Sequence, residues 1–572
     1  MIITGSNQGS TRLLGKLKDP LCILTIATTI IAIALSTVQI IIGVNYFDVF
    51  THLNVALQYS GLVTEGANMV PVPPLIPFLT SLVFRAGLVS SSVIIILNAI
   101  FFIIGVIGLY LLFKQRFNEI QSFTACLIYI SLPMVFSWAA SGSTDVPAIS
   151  LSIWTMYFMV RGVEKDPKYL YMVIPMLALA ILSRYTTAIL VIPLLFYFIV
   201  GTNFLKTFRT HLKQIIIPLA IIIPFLVYAY FKISYFSCLI FLTIQPLVFG
   251  KVFGVGDAAY NPDNFYYLNN LLNYLAVGPV KGNYYEILSP SLGSASIFAF
   301  IIAILVILGL GIYVYTILEK KYQVSKNKYP EMGGIGKWSM VQLLFLGFLV
   351  IAGIFSFYEA PYLVTNIIVL CICLLIYNLL GDVDGKNLKI DLLFLLWFFT
   401  FFIMHSVTPV KVDRYMITIA PAMAYFTFLG LSVLIERYKS LIKKDSIRSG
   451  GLCLMVGLVF LTSTTVTFAG HTPNTCLIKY VEPTAQWLED YDPQYQDKVI
   501  FSDYSPAVSW SMKKMVFTGV LRDYNNVDEF SSMLIESNAE YYIDVFSENK
   551  PALQGYQAVN KTDLITVYQK IH

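Results

Sequence analysis

The chain has 572 residues, of which 57% are hydrophobic and only 12% charged, with a mean hydropathy of +0.72, so it lacks the polar shell that a soluble globule of this size needs. It reads as a polytopic membrane protein. The formal charge of +5 does not mark a nucleic-acid partner, because Lys and Arg fall in short clusters between apolar runs rather than on one patch. Cys22, Cys126, Cys238, Cys371, Cys373, Cys453 and Cys476 are scattered without a CxxC pair, which is the pattern of packed thiols and not of a metal or disulfide framework.

The first apolar run, Leu21 to Val44, follows Arg12, Lys16 and Lys18 but is too long for a signal-peptide core and has no small-x-small cleavage site. It predicts a spanning helix. Further spans are predicted near 89–113, 119–137, 145–161, 169–183, 186–201, 214–232, 293–317, 339–357, 361–380, 391–406, 415–435 and 451–469, making thirteen in all. With the N-terminus cytoplasmic and the C-terminus outside, the cytoplasmic segments up to residue 448 hold 23 Lys and Arg. The outer segments before residue 470 hold Arg85, Arg184, Lys251, Lys281, Lys411 and Arg414, so the distribution of basic residues sets this orientation.

Between the first two spans lies an outer loop of about residues 44–88 containing Asp48, His52 and Glu65. Its second half, Val70 to Gly87, is apolar but carries Pro71, Pro73, Pro74 and Pro77 and ends at Arg85; counting it as a span would place every later basic cluster outside. It predicts a juxtamembrane helix along the outer membrane face. The short runs 169–183 and 186–201 have basic flanks on both sides and predict a re-entrant pair whose apex, Leu182-Ser-Arg184-Tyr-Thr186, puts an arginine at membrane depth. An arginine there costs at least about 2.5 kcal/mol unless it lines a wet cavity or meets an anion, and a lipid phosphate is a fitting partner.

Three other outer segments concentrate polar groups. Trp138-Ala-Ala-Ser-Gly-Ser-Thr-Asp145-Val-Pro147 places Asp145 at the start of a helix, where a carboxylate meets the positive end of the dipole. The loop 234–292 is rich in Tyr and Asn, including Tyr266 and Tyr267, a composition that suits either stacking and hydrogen bonding to a sugar or an interfacial aromatic belt. Lys411-Val-Asp413-Arg414-Tyr415 precedes the twelfth span. Beyond Gly470 the pattern changes: Lys498 to Ser502, Glu540 to Val545 and Leu564 to Tyr568 predict strands, and Pro483 to Asp490 and Val527 to Ser537 predict helices, giving a small α/β domain on the outer side. The predicted division is therefore 1–469 for the all-α membrane domain and 470–572 for this extracytoplasmic domain. No Walker motif or dinucleotide fingerprint is present.

In order along residues 20–435, Phe47-Asp48, Val72-Pro-Pro-Leu-Ile-Pro77, Ser141-Gly-Ser-Thr-Asp145-Val-Pro147, Leu182-Ser-Arg-Tyr185 and Asp413-Arg-Tyr415 make a set of landmarks that resembles the GT-C membrane glycosyltransferases, close to the protein O-mannosyltransferase and aminoarabinose transferase branch. The resemblance implies a multi-pass membrane enzyme that transfers a sugar from a polyprenyl-phosphate donor to a protein, lipid or glycan acceptor at the outer face, with inversion; of a prokaryotic plasma membrane and a eukaryotic endoplasmic reticulum, the lack of retrieval signals favours the plasma membrane. Asp48 matches the family's first-loop acid and so would be the general base; Asp145 matches its second outer acid. Arg184, then Arg414 and Arg85, would take the donor phosphate, and His52, Glu65, Tyr266 and Tyr267 would contact substrate. Many relatives carry a second acid beside the first, where this chain has Val49. No metal is therefore assigned, although a divalent cation stays open.

Each residue also has a plain reading: Asp48 and Asp145 as helix caps, Arg184 as a cation reaching the headgroups, Arg414 with Asp413 as an interfacial anchor. A secondary transporter or a non-catalytic envelope-assembly protein would share the helix count. The transporter would normally show inverted repeats and broken helices at midplane, whereas here the polar groups gather at one face.

Overall fold

A computed structural model describes residues 19–44, 46–63, 72–201, 213–214, 216–224, 227, 263–277, 294–328, 337–408, 411–442, 446–469, 476–547, 550–562 and 564–572. Among these, eight helices are long and apolar enough to cross a membrane: Pro20–Ile42, Ser92–Phe113, Asp145–Glu164, Ile297–Lys326, Met340–Glu359, Tyr362–Val407, Asp413–Lys439 and Ser449–Ala469. Leu75–Arg85, Pro167–Ser183 and Tyr185–Gly201 are shorter apolar helices. The predicted run 119–137 is helical but interrupted: it starts at a capping box between Asn118 and Gln121 and breaks at Leu132, which adopts an extended conformation ahead of Pro133. Proline's ring clashes with the preceding turn and disfavours helical geometry in the residue before it. The predicted spans 361–380 and 391–406 are joined as one helical stretch, Tyr362–Val407, broken at Asp384.

Packing divides the chain into two units, one formed by the described parts of Met1–Ile33, Ile100–Ala139 and Asp145–His471, the other by those of Ala34–Ala99, Ala140–Thr144 and Thr472–His572. The first unit is a helical bundle. The backbones of Ile297–Lys328 and Ala420–Ile442 approach closely, since a Cβ on Gly430 would lie 2.7 Å from the carbonyl oxygen of Val306 and a Cβ on Gly309 would run into the carbonyl of Gly430. Small residues are what allow apolar helices to gain dispersion contact this close. Elsewhere in the bundle the buried Asp391 accepts from Arg116 Nε at 3.1 Å and from the phenols of Tyr313 and Tyr425, one carboxylate against one guanidinium.

The second unit contains a five-stranded sheet, β1 (Ile500–Ser502), β2 (Phe517–Thr518), β3 (Tyr541–Asp544), β4 (Tyr556–Lys561) and β5 (Thr566–Lys570), in the order β2-β1-β3-β5-β4. β1 is parallel to β2 and β3; β5 is antiparallel to β3 and β4. Phe501, Phe530, Leu534, Tyr542, Tyr556 and Tyr568 are among the residues of its core. The three predicted strands and both predicted helices are present, and β2, β4 and the helix Ser505–Met512 add to them. The same unit includes the first-loop helices Phe47–Ser60, closed by Gly61 at φ +79°, and Leu75–Arg85.

Candidate functional site

Three local breaks in helical geometry build the site of the bundle unit. Asp145 is the first residue of Asp145–Glu164. Arg184 has an extended backbone (φ −158°, ψ 117°) at the junction between the helix Leu170–Ser183 and the 3-10 turn Tyr185–Leu190, so the predicted apex is a true helix break. Thr187 Oγ1 donates to the Arg184 carbonyl at 2.7 Å and holds that break. Arg414 stands in the 3-10 turn Asp413–Ile419 ahead of Ala420–Ile442.

The breaks bring the three charges together. Asp145 is 0% exposed and ion-pairs through Oδ1 with Arg184 Nη1 and through Oδ2 with Arg414 Nη1, the latter at 3.4 Å. The guanidinium side chains are only 11% and 8% exposed. Arg184 Nε also donates to Thr186 Oγ1 at 3.0 Å. Aromatic rings cover the cations: Arg184 lies 4.6 Å from the Tyr415 ring centroid, and Arg414 lies 5.6 Å from Tyr415 and 5.7 Å from Trp138. Two guanidiniums thus share the Asp145 carboxylate in a low-polarity setting, where charge is expensive unless it is paired.

The segment carrying Arg414 is pinned from outside the helices. Tyr266 and Tyr274 both donate to Asp413 Oδ1, at 2.9 and 2.7 Å. Burial and then the Asp413 charge push both phenols above their ordinary range, so they stay neutral donors. Tyr267 donates to the Val412 carbonyl at 3.1 Å and accepts from the Val412 N–H at 2.9 Å. Lys411, pushed down to about 8 by burial, donates to the carbonyls of His405, Ser406 and Thr408. Tyr266 and Tyr267, whose composition suited either a sugar platform or an interfacial belt, brace the Asp413-Arg414 turn here. Tyr274, Tyr415 and Trp138 join the site without having been singled out by sequence reasoning. Tyr415 and Trp138 stood inside quoted motifs, and their position next to Arg414 and ahead of Asp145 was the only signal.

The other predicted residues lie in the second unit. Asp48 is in the first turn of Phe47–Ser60, and Tyr46 donates its phenol to Asp48 Oδ2 at 3.0 Å. His52 is on the buried face of that helix. Arg85, in the last turn of Leu75–Arg85, is exposed and donates to the carbonyl of Tyr59. Glu65 lies outside the described residues, as do most of the Tyr- and Asn-rich loop, Lys251 and Lys281. Among the described residues no group of three or more His, Cys, Asp or Glu could hold a metal ion.

Residues 71–228 match the family described as dolichyl-phosphate-mannose-protein mannosyltransferase, a stretch that includes Asp145 and Arg184. No curated protein sequence matches the chain. Among solved structures it is similar to ArnT from Cupriavidus metallidurans bound to undecaprenyl phosphate, at 10% identity and a TM-score of 0.54 over 96% of this chain and 98% of that one. The apo state of the same protein gives 10% identity and 0.52 over 96% and 97%. The archaeal oligosaccharyltransferase AglB from Archaeoglobus fulgidus, in complex with an inhibitory peptide and a dolichol-phosphate, gives 13% identity and 0.49 over 92% of this chain and 69% of that one. The fold is that of the GT-C membrane glycosyltransferases, a mostly helical membrane part with a small C-terminal sheet.

Proposed function

We propose that the chain is an integral-membrane glycosyltransferase that moves a sugar from a polyprenyl-phosphate donor to a hydroxyl of a protein, lipid or glycan acceptor at the outer face of the membrane. The observation that carries this reading is the buried Asp145 held by both Arg184 and Arg414. When the bond between the anomeric carbon and the phosphate oxygen breaks, the leaving lipid phosphate gains negative charge. Cations fixed beforehand in a dry, apolar setting stabilise that charge without reorganising at the moment of reaction. The two guanidiniums have the planar donor forks that phosphate oxygens favour. Asp145 contacts both and aligns their forks.

Asp48 takes the general-base role in this reading, on the strength of its position in the first outer loop. The acceptor oxygen attacks the anomeric carbon with inversion as its proton passes to the Asp48 carboxylate, a transfer worth typically 10²–10⁴-fold. The description of the matched family and the undecaprenyl phosphate bound to one structural neighbour support the donor class. The clustering of basic residues supports an orientation with the N-terminus cytoplasmic and the C-terminal domain outside.

The test is release of free polyprenyl phosphate in proteoliposomes from labelled dolichyl phosphate mannose and from undecaprenyl-phosphate-linked pentose, over a panel of peptide, lipid and glycan acceptors. Wild-type release, lost in Asp48→Asn at unchanged expression and melting temperature and lost in Arg184→Gln at unchanged expression, is expected. No release from any donor, with labelled solute crossing the same vesicles, would replace the transferase by a transporter.

A further inference from the structure

Resting on the reading of Asp48 as the general base, we propose that Tyr504 of the C-terminal domain is a positioning residue for that base, gripping the helical turn that carries it. Tyr46, the N-cap of Phe47–Ser60, makes no side-chain cap bond, and its phenol donates to Asp48. Aromatic packing on the turn comes from the far end of the chain. The Tyr504 ring is stacked on Phe47 and edge-on to Phe50, with centroids 6.0 Å away in each case, so the two contacts bracket Asp48 in sequence. Tyr504 is itself buried and backed by Phe546 at 4.8 Å.

That backing is rigid. The Asp503 carboxylate accepts the Val545 and Phe546 N–H groups at 2.8 Å each and locks the turn after β3 from which Phe546 projects. A second grip lies further along the helix, where Asn54 Nδ2 donates to the Pro506 carbonyl at 2.8 Å, both groups buried. Tyr504 and Pro506 stand at the start of Ser505–Met512, so one rigid corner of the C-terminal domain holds the helix at two points. A packing anchor with no catalytic consequence would serve equally well at the outer end of the helix. This one is at the turn of the acid, near enough that the Asp48 charge adds to burial in raising the Tyr504 phenol. Tyr504 makes no step of its own in the reaction: it fixes where the carboxylate of Asp48 stands when the acceptor proton leaves.

The test compares Tyr504→Ala, Tyr504→Phe, Asn54→Ala and Asp48→Asn in full-length protein, following polyprenyl phosphate release from dolichyl phosphate mannose or whichever panel donor the wild type uses. Misplacing a catalytic group by about 1 Å can cost about 10²-fold. Tyr504→Ala is expected to lower kcat at least about tenfold with the donor KM within about twofold, because the guanidinium site is untouched, and Tyr504→Phe to restore most of the loss because the ring contacts return. Asn54→Ala, a milder loosening of the same clamp, is expected to lower kcat by about threefold and keeps the proposal testable where Tyr504→Ala does not fold. A dead Asp48→Asn beside Tyr504→Ala or Asn54→Ala at wild-type kcat would overturn the positioning role and leave the base intact. An active Asp48→Asn, or a wild type that uses no donor, would overturn the base reading and this inference together.

Discussion

Asp145→Asn separates a structural ion pair from an anion site. The substitution keeps the shape of the side chain and removes the one charge that both guanidiniums contact. At the 3.4 Å separation of Arg414 Nη1 and Asp145 Oδ2, and with an effective dielectric constant of about 20, Coulomb attraction is about 5 kcal/mol. Breaking a buried pair by deleting one partner costs about 3–5 kcal/mol in practice, because the remaining charge stays desolvated. The unliganded variant should therefore lose about that much stability. If the site is built for a phosphate, the lipid phosphate can replace the missing carboxylate, and its stabilising effect must then be larger in the variant than in the wild type. A ligand at about 100 times its Kd adds about 2.7 kcal/mol, enough to read as a shift in melting temperature. The assay is thermal unfolding of the full-length protein in detergent, titrated with undecaprenyl phosphate and with the uncharged alcohol undecaprenol. The expected result is a lower melting temperature without ligand and a larger upward shift with the phosphate, but not with the alcohol. Equal melting temperatures of variant and wild type, or equal shifts with phosphate and alcohol, would refute the charge argument.

Two further outcomes follow from the packing and the C-terminal domain. Gly430→Ala should destabilise the bundle by about 1–3 kcal/mol, because its Cβ would press on the Val306 carbonyl, whereas Gly451→Ala, with open space at the same test, should be neutral or gain up to about 1 kcal/mol from helix propensity; melting temperatures of the two variants check this. Burial raises the Asp503 carboxyl from 3.8 to about 7 against the pull of its two N–H donors. Its folded state thus binds the proton more tightly than the unfolded chain, and the resulting stabilisation, at most about 4 kcal/mol, is complete below pH 4 and lost as pH rises through 7. Hydrogen exchange at Val545 and Phe546 in the full-length protein should be better protected at pH 5 than at pH 8 after correction for intrinsic rates, and Asp503→Asn should flatten that difference.

Much of this architecture is legible in the sequence because membrane helices are written in length and hydropathy, and every other choice is costly in lipid. The exceptions have local causes. Leu132 breaks a predicted run because Pro133 follows it, and β2 and β4 escaped because one is two residues long and the other is a largely exposed edge strand without alternation. Ser505–Met512 begins with Ser-Pro and has no helical apolar stripe, so it reads as a turn until the sheet is in place beside it. Arg184 and Arg414 could be found singly, since an arginine among apolar residues is expensive on its own. Their common partner could not, because Arg414 and Asp145 are 269 positions apart. Composition marked Tyr266 and Tyr267 as special, but nothing in their neighbourhood pointed to Asp413 and Val412. The grip of Tyr504 on the turn of Asp48 was equally hidden, since no periodic pattern links the two ends of a chain.

The bundle also contains its own comparison for the proposed phosphate site. Asp391 and Arg116 balance one to one, and the spare acceptor capacity of the carboxylate is taken up by the phenols of Tyr313 and Tyr425. That arrangement satisfies itself and asks for no ligand. At the Asp145 cluster two guanidiniums meet the carboxylate, and the acid beside Arg414 in the chain, Asp413, receives the phenols of Tyr266 and Tyr274. Two guanidinium forks converging on one buried carboxylate are a geometry that the one-to-one pair at Asp391 does not have, and under the proposed function it is the planar fork that suits phosphate oxygens.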